Sequence, residues 1–320
     1  MQKLENLSVL ILAYNRFEKF NRCIKRLNEQ GIKKIYLSID GPRNKNDLKN
    51  QEKITSFCKN NNFDMEIIIN QFHHNYGCRL GPIKGISWFF SQNQYGIILE
   101  DDIILSKNCL EAFSYLLDKY FYNDEFLSIT SFNELSNSSI ENIYSMPLWR
   151  SFGWASWAHK WESHISFSKK IRYFNMWDLY KLMPKDFRSI ETVKLVKASQ
   201  LNLLDAWDYE FNFSHLVNMK KSLTLGGINC LNYGFDDSAT HTTNLDAVGI
   251  DFKLFNEKEI DLKNIMQFEN NKLIPIFNKC GFNFNKSFTF NKNLFDFLKF
   301  IFFSFIFYLR IIKRIMNKTL

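Results

Sequence analysis

The stretch Tyr95-Gly96-Ile97-Ile98-Leu99-Glu100-Asp101-Asp102 decides how this chain is read. Its first five residues form a short apolar run, and three acids close it. Runs of this length that end in charged or turn residues read as buried strands. Open α/β sheets bind ligands beyond the carboxyl ends of their strands. Three carboxylates gathered there repel one another unless a cation lies among them. A hard divalent ion suits carboxylate oxygen and commonly bridges protein to a diphosphate. Read alone, the triplet is equally an acidic strand end in water, so its weight depends on what surrounds it.

What surrounds it is a repeated alternation of strand and helix signals. Residues 8–13 and 34–39 are apolar runs of strand length, and 65–69 is a third. Between the first two, 18–28 carries Phe20, Cys23, Ile24 and Leu27 at helical spacing. Residues 47–58 form a second helix, and Pro82 opens another to about residue 91. Ser106 caps a helix to about residue 120, and 127–130 is the fifth strand. This βα order predicts an α/β fold: a mostly parallel sheet with helices on both faces. Beyond it, 133–142 is polar and 144–161 is Trp-rich without periodicity. Helices follow at 190–204 and 207–217, with short strands at 222–225 and 230–232.

At 320 residues with 46% hydrophobic content, the chain has enough apolar residues for a sizeable core. The formal charge of +8 suits nucleic acid, anionic lipid or a phosphorylated substrate. No basic stripe interleaves with aromatics, so nucleic acid ranks last. The six cysteines form no CxxC pair, which argues against a zinc site and a disulfide framework. The first residues do not read as a signal peptide, and a cytoplasmic setting is expected. Residues 1–290 read as one catalytic unit, with a first half to about 132 and a second from 133.

Residues 291–320 differ in kind. Phe300 to Leu309 carries no charge, and Arg310, Lys313, Arg314 and Lys318 follow. As a helix the uncharged run is about 15 Å long, half of a hydrocarbon core. An apolar half followed by a basic half suits an anionic membrane surface, giving a peripheral tail on the inner face of the membrane.

The tips of the first two strands complete the pattern. The first ends in Ala13-Tyr14-Asn15-Arg16 and the second in Asp40-Gly41-Pro42-Arg43. Each alone is turn chemistry. Beside the acidic triplet they supply an aromatic face, an acceptor for a base or ribose, and cations for phosphate.

The chain thereby resembles the GT-A (Rossmann-like) glycosyltransferases, in which a DxD-like motif binds a metal and a nucleotide-sugar. More narrowly, it resembles bacterial sugar transferases related to N-acetylglucosaminyltransferase I. The matching pieces occur in order. They are the two strand tips, Asn75-Tyr76-Gly77, Glu100-Asp101-Asp102, Ser151-Phe152-Gly153-Trp154-Ala155-Ser156-Trp157, Trp207-Asp208-Tyr209-Glu210, and Asn232-Tyr233-Gly234-Phe235 before Thr240-His241-Thr242.

The resemblance implies roles. Asp102 would bind Mn²⁺ or Mg²⁺, and Asp101 and Glu100 would hold sugar and ribose hydroxyls. Asp40 and Arg16 would contact the nucleobase, with Ala13, Tyr14, Asn15 and Gly77 around it. Lys84 would reach ribose or phosphate, although a solvated helix lysine reads equally well. His241 would be a second metal or diphosphate contact, and Trp154 part of the wall around donor sugar and acceptor. Inverting transfer needs one base. Asp208 is the choice, between aromatic walls that raise a carboxylate's pKa by desolvation. Glu210 is the near alternative, and Trp177-Asp178 a second pair of the same type. The donor expected is a UDP-sugar, and the acceptor a surface glycan or lipid-linked sugar. A sugar-1-phosphate nucleotidyltransferase is the other enzymatic reading, since Gly77-Cys78-Arg79-Leu80-Gly81-Pro82-Ile83-Lys84 faintly echoes that signature. A non-catalytic membrane-surface scaffold is the third.

Overall fold

The structure, a computed structural model, describes residues 4, 7–60, 63–106, 109–132, 142–147, 149–227, 229–234 and 266–269. The expected α/β alternation is present. Strands β1 (Ser8–Ala13), β2 (Lys34–Ile39) and β3 (Glu66–Gln71) alternate with helices α1 (Phe17–Glu29), α2 (Lys45–Asn60) and α3 (Gly77–Phe90). The acidic triplet closes β4 (Tyr95–Glu100) and is followed at once by β5 (Ile103–Leu105). Then come α4 (Cys109–Lys119), β6 (Phe126–Thr130), β7 (Asn142–Met146) and β8 (Trp154–Trp157). The rest comprises α5 (Ala158–Ile171), α6 (Met176–Leu182), α7 (Ile190–Gln200), α8 (Asp208–Val217), β9 (Lys221–Leu225), β10 (Cys230–Asn232) and β11 (Met266–Glu269).

The main sheet runs β11-β7-β9-β6-β8-β4-β1-β2-β3, and β5 pairs with β10 in a separate antiparallel ribbon. Strands β3, β2, β1 and β4 are mutually parallel. Strand β8 is antiparallel to both β4 and β6, so β6 and its parallel neighbour β9 point the same way as β4. The sheet is therefore mixed but mostly parallel.

Period-two alternation distributes the strand side chains between two cores. Val9, Ile11, Ile35, Leu37, Ile97 and Leu99 face one layer, with α1, α2 and α4 over them. Leu10, Tyr36 and Ile98 face the other, beneath α3, α5 and α8. Helices thus cover both faces, and the carboxyl ends of the buried strands are the sheet's polar outlet. A third cluster joins β7 to α6, α7 and α8. Among the described residues no helix is long and apolar enough to cross a membrane. The tail at 291–320 and His241 lie outside the described residues.

Three local differences have physical causes. Helix α3 begins at Gly77 rather than Pro82, because distant carboxylates cap it. Strand β8 and helix α5 fall in the Trp-rich stretch that carries no periodicity. Trp154, Ala155, Ser156 and Trp157 are all buried, so no polar face marks the strand.

One consequence concerns acid stability. The fully buried His215 has its Nδ1 2.9 Å from the Phe211 carbonyl, which can only accept. Its Nε2, 2.9 Å from the Ser128 hydroxyl, is then the acceptor of a neutral ring. Burial, partly opposed by the Phe211 bond, pushes His215 down to about 4. An unfolded histidine titrates near ~6.5, so below that pH the unfolded chain takes up a proton that the folded chain refuses. Stability therefore falls as pH falls from ~6.5 toward about 4, by roughly 3 kcal/mol from this group. His215→Gln should make that slope shallower in denaturant titrations across this window, the buried His164, lowered to about 3 by burial, keeping the remainder. An unchanged slope would mean that the ring charges freely in the folded protein.

Candidate functional site

Register places the three predicted tips side by side. Leu12 pairs with Glu100 across β1 and β4, and Ala13 with Ile39 across β1 and β2. The backbone bonds continue past the strand ends. Asp101 N donates to Leu12 O at 3.0 Å, and Asp40 N donates to Ala13 O at 3.2 Å.

The acidic triplet already has a cation. The Arg16 guanidinium donates to Asp101 and lies 2.8 Å from Asp102 Oδ2. Asp101 is 0% exposed and Asp102 4%. Two of their oxygens, Asp101 Oδ2 and Asp102 Oδ1, are buried without a hydrogen-bond partner among the described residues. Burial raises Glu100 above the carboxylate range, helped by Asp102 and opposed by Arg16. Burial likewise raises Asp101, with Arg16 opposing and Asp102 adding to the rise. The carboxylate of Asp208 is near enough to contribute to the push on Glu100. The base chosen from sequence and the triplet thus share one electrostatic neighbourhood, although over 100 residues separate them.

The arrangement fits a divalent cation on the evidence of those oxygens. A buried carboxylate oxygen without a partner costs free energy that a cation would offset. Among the described residues no group of three His, Cys, Asp or Glu side chains forms a ready-made metal cage. Mg²⁺-type sites need none, since one or two carboxylates plus substrate phosphates and water commonly suffice.

Tyr14 and Asn15 are held rigidly at the β1 tip. Tyr14 donates to Asp47 Oδ2 at 2.5 Å, and Asn15 Nδ2 donates to Asp47 Oδ1 at 2.6 Å. Arg43 Nε donates to the Tyr14 hydroxyl at 2.7 Å, its guanidinium 4.8 Å from the ring centroid. Burial would raise Asp47, but these hydrogen bonds and Arg43 hold it below its ordinary value.

Several expected roles change once the partners are seen. Arg16 is a counter-ion to Asp101 and Asp102, with 23% of its side chain exposed. The Asp40 carboxylate accepts from the backbone N–H groups of Gly41, Tyr76 and Gly77, and from Asn75 Nδ2. It clamps the entry to α3, and its oxygens have no capacity left for a base. Asp205 accepts from Cys78 N at 2.9 Å and Arg79 N at 2.7 Å, completing the cap. Gly77, at φ +75°, is required twice over. A side chain there would be strained, and its Cβ would lie 2.6 Å from Asp205 Oδ2. Lys84 is exposed on α3, its ammonium 4.4 Å from the centroid of the Tyr76 ring.

Trp154 is core rather than wall. It is 1% exposed and packs against Trp149, Trp161, Trp207 and Phe211, because β8 lies between β4 and β6. Glu210 is equally sequestered. It is 2% exposed and accepts from Arg79 Nη2 at 2.7 Å, Ser199 Oγ at 3.1 Å and the Ser168 hydroxyl. That removes it as a base. Asp178 closes a capping box with Asn175 at the start of α6. Gly234 stands against the triplet, where a Cβ would lie 2.4 Å from Asp102 Oδ2.

Arg79 and Asp205 were not singled out as site residues in the sequence. Nothing local marks them, since each acts on a partner over 120 residues away. Arg79→Ala should cost about 3–5 kcal/mol in denaturant unfolding, because it strands a buried carboxylate. Adding Glu210→Gln should recover part of the loss. Equal stability of Arg79→Ala and the native chain would contradict this pairing.

No family model matches the chain, and no curated protein matches it. Among solved structures, it is similar to S. aureus TarS residues 1–349, at 10% identity and TM-score 0.40, over 72% of this chain and 60% of that one. The same protein in complex with UDP-GlcNAc matches at 11% identity and TM-score 0.36, over 69% and 56%. Mannosyltransferase PcManGT from Pyrobaculum calidifontis, in complex with GDP-Man and Mn²⁺, matches at 8% identity and TM-score 0.36, over 62% and 53%. The chain spans 60% or less of the length of each of these. Likeness at this level fixes neither family nor activity.

Proposed function

We propose that this chain is a metal-dependent, inverting glycosyltransferase. Its donor is a nucleoside-diphosphate sugar, and its acceptor a glycan or lipid-linked sugar. The observation that carries the reading is the acidic outlet of β4. Three carboxylates converge there with Asp208 nearby, and two buried oxygens lack hydrogen-bond partners among the described residues. Asp102 is the residue that would hold Mn²⁺ or Mg²⁺, whose charge would neutralise the departing diphosphate.

The chain's own groups divide the remaining work. Tyr14 and Asn15, fixed by Asp47, border the donor beside Ala13. Glu100 meets its hydroxyls, and Asp101, fully buried, holds Arg16 against the triplet. Asp208 takes the proton from the acceptor hydroxyl as that oxygen bonds to the anomeric carbon. The bond from that carbon to the diphosphate breaks, and the diphosphate leaves with the electron pair. UDP as carrier, and kinship with N-acetylglucosaminyltransferase I, rest on the ordered motifs alone. So do His241 as a further contact and the tail at 291–320 as an anchor on the inner membrane surface.

The nucleotidyltransferase reading is weakened by α3. The stretch from Gly77 to Lys84 is helical, and the N–H groups of residues 76–79 are taken by Asp40 and Asp205. None of the four is free to cradle a phosphate. Turnover separates the readings. Purified protein with Mn²⁺ should release nucleoside diphosphate from a nucleotide-sugar. Release of pyrophosphate from a nucleoside triphosphate and a sugar phosphate would favour the alternative, and neither product would favour the scaffold.

A further inference from the structure

Helix α1 carries Arg22, Lys25 and Arg26 on one side, at spacings of three and four residues. They line a cleft of about 420 Å³ whose other wall is Ile104 of β5, Leu231 of β10 and Tyr233. Like charges at this spacing repel one another on a helix. Among the described residues neither Arg22 nor Lys25 has a carboxylate within ion-pair distance. Glu29, which also lines the cleft, lies 3.9 Å from Arg26 and is 65% exposed, and Arg26 Nε donates to the Leu105 carbonyl at 3.3 Å. The macrodipole favours a cation in the last turn, which accounts for Arg26 but not for Arg22 in the middle of the helix.

The cleft is joined to the acidic centre by covalent and hydrogen-bonded structure. Helix α1 begins immediately after Arg16, the counter-ion of the triplet. Strand β5 begins immediately after Asp102. Tyr233 N donates to the Asp102 carbonyl at 2.9 Å. The Tyr233 ring lies against Arg22, whose guanidinium carbon is 4.3 Å from the ring centroid. Stacking on a ring engages the face of a guanidinium and leaves its N–H edge free for a phosphate. The cleft concentrates positive charge beside a centre of negative charge, an arrangement that orients a ligand carrying an anion. Ile104 and Leu231 supply apolar wall.

We infer that this cleft binds a phosphate or phosphodiester group of the acceptor, held by Arg22, Lys25 and Arg26 and oriented by the Tyr233 platform. The assignment to the acceptor rests on the glycosyltransferase reading, whereas phosphate binding at the cleft does not.

The probe is inorganic tripolyphosphate, titrated calorimetrically into the full chain at low salt with a chelator present. Chelation leaves the acidic centre repelling the probe. Native protein should bind it, and Arg22→Gln/Lys25→Gln should bind it at least about ten-fold more weakly, since charged hydrogen bonds are lost. Both positions are exposed. Tyr233→Leu, which removes the platform without touching a charge, should weaken binding by a smaller factor. Binding by the double variant within about two-fold of native would overturn the inference, as would no binding by native protein. Vesicles of phosphatidylcholine with phosphatidylglycerol separate two sources of phosphate. Vesicle binding retained by the double variant assigns the cleft to a soluble phosphate-bearing acceptor, and vesicle binding lost assigns it to a lipid-borne one. Absence of nucleotide-sugar turnover by native protein that binds tripolyphosphate at the cleft would remove the acceptor assignment and leave the site.

Discussion

Asp208→Asn should lower kcat by about 10²–10⁴-fold, the usual cost of losing a general base, with donor affinity held within a few fold. The amide keeps the carboxylate's shape but cannot take the acceptor's proton. The position is the first residue of α8, next to the buried Trp207 and near Glu100. Asp178→Asn is the control, because that side chain caps α6. It should cost stability of about 1 kcal/mol and little turnover. Steady-state transfer with saturating donor checks both. Normal turnover by Asp208→Asn would remove it as the base, and Glu210, buried against Arg79, could not replace it.

Asp102→Ala should abolish transfer and any metal-dependent tightening of donor binding. Asp102 is 4% exposed, one oxygen lies 2.8 Å from Arg16 and the other has no described partner. Its removal leaves Arg16 paired with Asp101, so the fold should survive. Thermal unfolding and transfer assays on the same preparation separate loss of function from loss of structure. An Asp102→Ala protein that transfers sugar at the native rate would place the leaving-group chemistry elsewhere.

Strands β1, β2 and β4 were legible because their apolar runs are bounded by turn residues or acids, and their order set the three tips together. Strand β8 was not legible. A strand buried on both faces between two others has no polar alternation, and four residues are too few to outweigh the surrounding tryptophans. The start of α3 was hidden for a different reason. Helix ends are usually read from neighbouring residues, whereas Asp205 caps α3 from the loop before α8.

The acidic patch Asp208-Tyr209-Glu210 gave Asp208 as the base with Glu210 close behind, and helix geometry separates the two. Two residues along a helix differ by about 200° in direction, so its two acids face different surroundings. One lies near the triplet, and the other is buried against Arg79, Ser168 and Ser199. The role of Trp154 was hidden in the same way. A tryptophan beside glycine suits a sugar-stacking wall or a core, and only its neighbours in β4 and β6 decide for the core.

The central claim is that the acidic end of β4 binds a nucleotide-sugar together with a divalent cation. Its most direct test is thermal stabilisation of the native full chain by a panel of nucleotide-sugars, with Mn²⁺ and again with chelator. A ligand that binds only the folded state raises stability by about 2.7 kcal/mol at 100 times its Kd. The account predicts an upward shift in Tm with at least one UDP-sugar and Mn²⁺, lost on chelation and absent in Asp102→Ala. An equal shift with and without metal, or an undiminished shift in Asp102→Ala, would contradict it.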